Sequence, residues 1–227
     1  ILVLYSVKTI SRNQVWKNNK TLAIHDANVS VNGAKSNIMA GGILTEDAVK
    51  STNPVEKQKM LQEGIFYLNR AVTIYPEYID ALLLMGNAQW EYSKNAQNSV
   101  PYYLEILSIN PNHQDTWQNI FIILEQSNDA EYKIQTYQIL LRYNSSKPNI
   151  YLNLGRIYGR KKNDLINSKR YLEAGIKIAP NNHDLLTNLG TLYGIDKSFV
   201  KAIEVLEKAI QLKPEIAKTH IDLGLSY

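Results

Sequence analysis

The chain has 227 residues, 44% hydrophobic and 20% charged, enough apolar material for a real core and too much for a disordered segment. Its 25 Lys and Arg against 21 Asp and Glu leave a net charge of +4 with the basic residues dispersed, so the gathered basic face of a nucleic-acid binder is missing and no nucleic-acid partner is expected. Cysteine is absent, which excludes disulfides, thiolate metal sites and cysteine nucleophiles, and no apolar run reaches the roughly 18 residues of a membrane span.

Residues 1–10 open on "ILVLYSV", apolar from Ile1 to Val7, before Lys8 and then Arg12. No basic region precedes this run, so it is a poor secretory signal; it reads as a short apolar lead-in or as the end of a membrane helix. The first residue is not Met, and the sequence reads as a piece of a longer protein. In residues 11–33, Val15/Trp16, Ala23/Ile24 and Ala27 fall on one helical face, which predicts a helix capping the downstream segment. A fixed period then takes over. Gly155, Gly190 and Gly224 each follow a Leu, and Tyr158, Tyr193 and Tyr227 each come three residues after the Gly. Each period closes on small and large apolar residues at helical spacing and then a Pro: Ala202, Leu206, Ala209 and Pro214; Ser168, Leu172, Gly175 and Pro180; Ser99, Tyr103, Ile106 and Pro111; Gly64, Leu68, Ala71 and Pro76. A period near 34 with two helical stripes predicts stacked helix–turn–helix units, none able to bury its apolar face alone.

On these residues the stretch from Ala34 to Tyr227 resembles the tetratricopeptide repeat, most specifically in its last third. The resemblance implies an all-α, right-handed superhelical solenoid with helix A of each repeat on the concave side. Its repeats would be 34–78, 79–113, 114–147, 148–182 and 183–216, with a half repeat over 217–227. The small residue of helix A (Gly86, Gly155, Gly190) would admit helix B, because a Cβ there holds the helices apart at more than the roughly 1 kcal/mol that Gly costs a helix. The first repeat carries an insertion, "TEDAVKSTNPVEKQKM", which predicts a longer helix A and a longer loop before Asn53-Pro54 restarts helix B. The third is the most divergent, with Phe121 in place of the Gly. The half repeat has no helix B, so further repeats are expected beyond Tyr227, and self-association through that face is an alternative.

The passage into the repeats carries a second resemblance, on Tyr5, Lys8, Arg12, Asn13, Trp16, Thr21, Leu22, Ala34 and Lys35. It is similar to the junction between the last membrane helix and the repeat domain of transmembrane, tetratricopeptide-containing protein O-mannosyltransferases and their bacterial relatives. In that family sugar transfer belongs to the membrane part, with acidic residues in its first extracytoplasmic loop. The resemblance therefore implies a non-catalytic segment on the periplasmic or lumenal side, attached to the membrane only through an upstream region; a cytoplasmic location is the alternative.

Asn119, Asn153 and Asn188 share one phase of helix A, and Asp222 continues the row. A side-chain amide offers donor and acceptor together, which suits the backbone of an extended peptide. The row resembles the asparagine ladder in the repeats of nucleocytoplasmic O-linked N-acetylglucosamine transferases; the alternative is that Asn before Leu-Gly serves helix packing. Asn87, Trp90, Glu91, Arg156 and Arg160 surround the row. Arg156 and Arg160, four residues apart on one face, either grip a carboxylate or phosphate or are solvated. The carboxylate clamp of chaperone-tail binders of this family is incomplete here, because Leu83 and Asn149 occupy two of its places.

His25, His113, His183 and His220 are scattered without an H-x-x-x-H pair, and "GGILTEDA" from Gly41 follows no strand, so no metal, cofactor or catalytic set is expected. Acidic pairs such as Glu46-Asp47 read as helix-start and loop charges. Asn19-Lys20-Thr21, Asn28-Val29-Ser30 and Asn144-Ser145-Ser146 match the N-glycosylation triplet, which matters only in a eukaryotic secretory setting. The sequence points to a protein- or peptide-binding module, with a self-associating scaffold as the alternative.

Overall fold

Caps and prolines set where each helix begins and ends. Asn53 accepts hydrogen bonds from the backbone of Val55 at 3.0 Å and Glu56 at 3.3 Å, with Pro54 in the first helical position, where its missing N–H costs nothing. Asp129, Asp164 and Asn182 cap later helices in the same way. Pro76, Pro111, Pro180 and Pro214 each lie two residues past a helix end and set the extended turn into the next helix.

The computed structural model describes residues 16–227, which fold into twelve helices without a strand among the described residues. The expectations for "ILVLYSV" and Val15 fall outside them. The chain divides into an N-terminal unit ending at Ser127 and a C-terminal unit beginning at Asn128. The first holds α1 (Asn19–Val29), α2 (Ala34–Lys50), α3 (Pro54–Ile74), α4 (Ile79–Ser93), α5 (Ala96–Ile109) and α6 (Gln114–Gln126). The second holds α7 (Ala130–Tyr143), α8 (Pro148–Arg160), α9 (Leu165–Ile178), α10 (His183–Ile195), α11 (Phe199–Leu212) and α12 (Ala217–Gly224). Within each unit, successive helices pair as antiparallel hairpins: α2 with α3, α4 with α5, α8 with α9, and α10 with α11.

In the C-terminal unit the Leu-Gly pairs act as anticipated. A Cβ on Gly155 would lie 2.6 Å from Leu172, and one on Gly190 would lie 2.5 Å from Leu206. The facing leucine fills that space, and Leu172 and Leu206 join Leu185, Leu189, Leu192 and Tyr193 in one core. Each such leucine contributes about 1.5–3 kcal/mol through burial. In the third copy Phe121 stacks on Trp117 of its own helix, with ring centroids 6.0 Å apart.

Two expectations for the N-terminal unit need correction. α1 begins at Asn19, where the Asn18 side chain caps the Thr21 backbone at 2.9 Å, and Trp16 lies ahead of it, 62% exposed. The anticipated Trp16 stripe is therefore not part of a helical face; Ala23 and Ala27 alone are buried, in a cluster with Leu44, Leu61 and Tyr67. The insertion does not lengthen a loop either. Only residues 51–53 separate α2 and α3, and the added residues extend the two helices to 17 and 21 residues. The Asn53 cap restarts helix at once, and burial of Ala48 and Met60 continues the α2–α3 contact into the added turns.

Candidate functional site

In the N-terminal unit α2 and α4 flank a groove of about 790 Å³. α2 carries two apolar sets. Ala40, Leu44 and Ala48 point into the core, while Ile38, Met39 and Ile43 line the groove, with Met39 and Val49 more than half exposed. From α4 come Leu84, Asn87, Trp90 and Glu91. Gly42 keeps the floor open toward Leu84, whose side chain would meet a Cβ there at 3.2 Å. The rim is charged: Lys35, Asp80 and the Glu46–Lys50 pair at 2.6 Å. The volume falls within the range of ligand sites, and an apolar floor with a few polar groups on its edge is their usual make-up.

Two polar residues of the groove are held firmly. Burial alone would push the Glu91 carboxyl up, but hydrogen bonds from Lys94 at 2.7 Å and Lys57 at 2.9 Å outweigh it and hold the group below its ordinary value. The Asn87 carbonyl accepts from the Tyr103 hydroxyl at 2.7 Å and from the Asn119 amide at 3.2 Å. Tyr103 has no exposed surface, and burial drives its phenol well above the ordinary range, a shift that a hydrogen bond from Asn119 partly opposes. Asn87 and Asn119 thus form a linked pair, the first on the groove wall. The Asn87 amide NH₂ remains to donate and the Asn119 carbonyl remains to accept.

In the C-terminal unit the Asn153 amide donates to the Asn149 carbonyl at 2.9 Å, and the Asn188 amide to that of Asp184 at 2.7 Å. Arg156 donates to the Asn188 side chain at 3.3 Å and lies 3.7 Å from the Asp184 carboxylate. Asp222 accepts from Thr191 at 2.8 Å and pairs with Lys218. A hollow of about 110 Å³ gathers Arg156, Arg160, Asn188 and Lys218, and leaves Asn153 and Asp222 outside its lining. Of the anticipated arginine pair, Arg156 is engaged by Asp184 and Asn188, while Arg160 stands exposed.

Sequence reasoning missed Met39, Ile43 and Leu84. For Met39 and Ile43 the signal was a second set of apolar positions on α2, beyond the Ala40/Leu44/Ala48 stripe; Leu84 lies on α4.

A chain of side chains in the C-terminal unit has the outline of a catalytic relay. His183 Nδ1 lies 3.1 Å from Asp184 Oδ1, and its Nε2 lies 3.2 Å from the Thr219 hydroxyl. Thr219 has no exposed surface, so its oxygen cannot meet a substrate. The contact instead ties α10 to α12 through buried polar atoms, each with a partner. Among the described residues, no three His, Asp or Glu side chains come together as a metal site, and no helix is long and apolar enough to cross a membrane.

The family model described as tetratricopeptide repeat matches residues 148–182 and 183–216, each spanning one glycine-locked hairpin. Residues 148–216 are tetratricopeptide repeats. Solved repeat proteins share the fold more widely. The structure titled "Crystal structure of YrrB: a TPR protein with an unusual peptide-binding site" superposes at a TM-score of 0.56, 14% identical, over 88% of this chain and 96% of its own. A crystal structure of MamA does so at 0.51, 14% identical, over 74% and 99%. Both likenesses are of fold. Protein O-mannosyl-transferase TMTC3 of Mus musculus is 25% identical over 207 residues, 85% of this chain and 21% of its own length. The BBSome complex member BBS4 homolog of Drosophila melanogaster is 22% identical over 181 residues, 79% and 37%. The chain therefore spans between about a fifth and two fifths of the curated relatives it matches.

Proposed function

We propose that the chain is a non-catalytic binding module that seats an extended peptide or protein segment in the groove between α2 and α4. The observation that carries this reading is the groove itself: an apolar floor on which Met39 is exposed and Ile43, Leu84 and Trp90 are half-buried with one side open to solvent, edged by charges and by the Asn87 amide. Apolar side chains of the segment pack on that floor while its backbone bonds to Asn87. In the C-terminal unit, Asn153, Asn188, Asp222, Arg156 and Arg160 form a second polar surface for the same class of partner. The similarity to TMTC3 supports placing the chain in a larger glycosyltransferase, where it would hold the acceptor; the extracytoplasmic side rests on the junction resemblance alone. Sequence upstream of Ile1 tests that placement: several long apolar spans support it and a soluble domain removes it.

A peptide-display selection against the chain, followed by titration of the enriched peptides, tests the groove. Met39→Glu should weaken binding about 30-fold or more, as a central contact residue does, with an unchanged melting temperature; Trp90→Ala should weaken it as much, with some loss of stability because its ring is half-buried. Replacing Asn119, Asn153 and Asn188 together by Ala should weaken it less. Full affinity in both groove variants would remove the proposal. A second reading, self-association through α12, rests on Ile221, Leu225 and Tyr227, all largely exposed. Light scattering of the chain against a version bearing an added capping helix separates the two.

A further inference from the structure

Two turns of the C-terminal unit, between α8 and α9 and between α10 and α11, carry apolar side chains that the core does not use. Ile166 and Val200 are each 83% exposed, and Ile195 and Phe199 beside them are exposed as well. Ile166 and Val200 hold equivalent positions one period apart, whereas Ile195 lines the neighbouring hollow of Arg156, Arg160 and Lys218. Leu165, Ile166 and Lys169 of α9 border a shallow hollow with Tyr193 and Asp196 of the next turn. The ammonium groups of Lys169 and Lys201 lie 5.3 and 5.9 Å from the centre of the same Tyr193 ring, which joins α9 and α11 across it. The repeat does not require apolar residues here. Ile166 and Val200 hold the second position of their helices, where α5 and α7 have Gln97 and Glu131 and α3 has an isolated Val55 beside Glu56.

Cations surround the apolar residues. Arg160, Lys161, Lys197 and Lys201 are exposed, and Lys197 keeps its place in a left-handed conformation, φ 57°, that glycine would adopt without strain. The nearby carboxylates are each engaged or set back. Asp164 accepts from the Asn167 backbone at 2.9 Å and Asp196 from the Ser198 hydroxyl at 3.2 Å, both keeping their charge; Glu131 pairs with Lys162, Glu173 accepts from the Tyr193 hydroxyl at 2.8 Å, and Glu204 lies one turn down α11. A contiguous apolar patch on a soluble surface marks an interaction site, and projecting branched side chains ringed by lysines suit a bilayer boundary: the hydrocarbon enters the headgroup layer while the cations meet lipid phosphates.

We propose that this edge docks the C-terminal unit on an anionic membrane surface. Ile166, Phe199 and Val200 enter the interface, and Lys161, Lys197 and Lys201 face the phosphates. The proposal does not depend on the peptide groove, which lies in the other unit.

Flotation of the 227-residue chain with vesicles of equal parts phosphatidylcholine and phosphatidylglycerol, and with phosphatidylcholine alone, tests it. Binding is expected to the anionic vesicles and to weaken as salt rises. The double variant Ile166→Asp with Val200→Asp should lose it, and Lys161→Glu with Lys197→Glu should lower it at least about fivefold per lysine. Every variant retains Ile1–Val7, so the comparison isolates the edge. All four side chains are exposed and circular dichroism melts should not change; Ile166→Ser with Val200→Thr repeats the test at lower cost should the aspartates disturb folding. No flotation of the parent, equal flotation of the apolar variants, or capture by soluble polyglutamate in place of vesicles would each overturn the proposal.

Discussion

At Gly190 and Gly224 the same Leu-Gly pair meets opposite surroundings. A methyl at Gly190 would press on buried Leu206, whereas nothing lies within 4 Å of the corresponding point at Gly224. Overpacking costs about 1–3 kcal/mol against a helix-propensity gain of at most about 1 kcal/mol. Gly190→Ala should therefore destabilise the chain by about 1–2 kcal/mol in urea titration, while Gly224→Ala, at a helix end, should be neutral or slightly stabilising. Equal effects would show that the glycines serve something other than helix approach. The close approach of helix B was legible in the sequence because the small residue of helix A recurs at fixed phase, but Leu206, which pattern alone assigns to the space between repeats, instead fills the gap opposite Gly190 within its own hairpin. The partners of the asparagines were not legible. That the Asn87 carbonyl is taken by Tyr103 and Asn119 depends on where three helices meet, and no spacing along the chain encodes it.

Among the elements, α2 and α3 show both the reach and the limit of pattern reading. The Asn53-Pro54 restart was plain, because an amide followed by proline is a strong helix start; removing it by Asn53→Ala should cost about 1 kcal/mol in the same titration. The length of the connection was not plain. The inserted residues have no partner in the repeat pattern, and extension of both helices competes with a loop through burial that only the paired structure supplies. The groove floor stayed hidden for the same reason, since Met39 and Ile43 look like core residues until their helix has a neighbour. Glu91 on α4 gives this hairpin neighbourhood a pH signature through Lys57 on α3. Its folded carboxyl titrates below the ordinary 4.5, so the unfolded chain takes up the proton first. The stabilisation is complete above that value and is lost as pH falls through the lower folded one. Glu91→Gln should make the acid limb of a stability–pH curve shallower, and an unchanged limb would show that the carboxylate is not depressed.

For the molecule as a whole, the division at Ser127 separates the reporters of unfolding. Trp16, Trp90 and Trp117 all lie before it, while helices lie on both sides. In denaturant, tryptophan fluorescence and far-ultraviolet circular dichroism should give transitions that do not superimpose, as in repeat chains whose cooperativity is limited to neighbours. Coincident curves would show a single cooperative unit. Each glycine and the residue that fills its space, Gly86 with Tyr103, Gly155 with Leu172 and Gly190 with Leu206, sit on the two helices of one hairpin. A gene-level duplication or deletion of one period therefore copies or removes both halves of the fit together. Lineages descended from such a gene can change their number of hairpins without first evolving a new packing solution, whereas a crossover between the two helices would separate the glycine from its filler and be selected against.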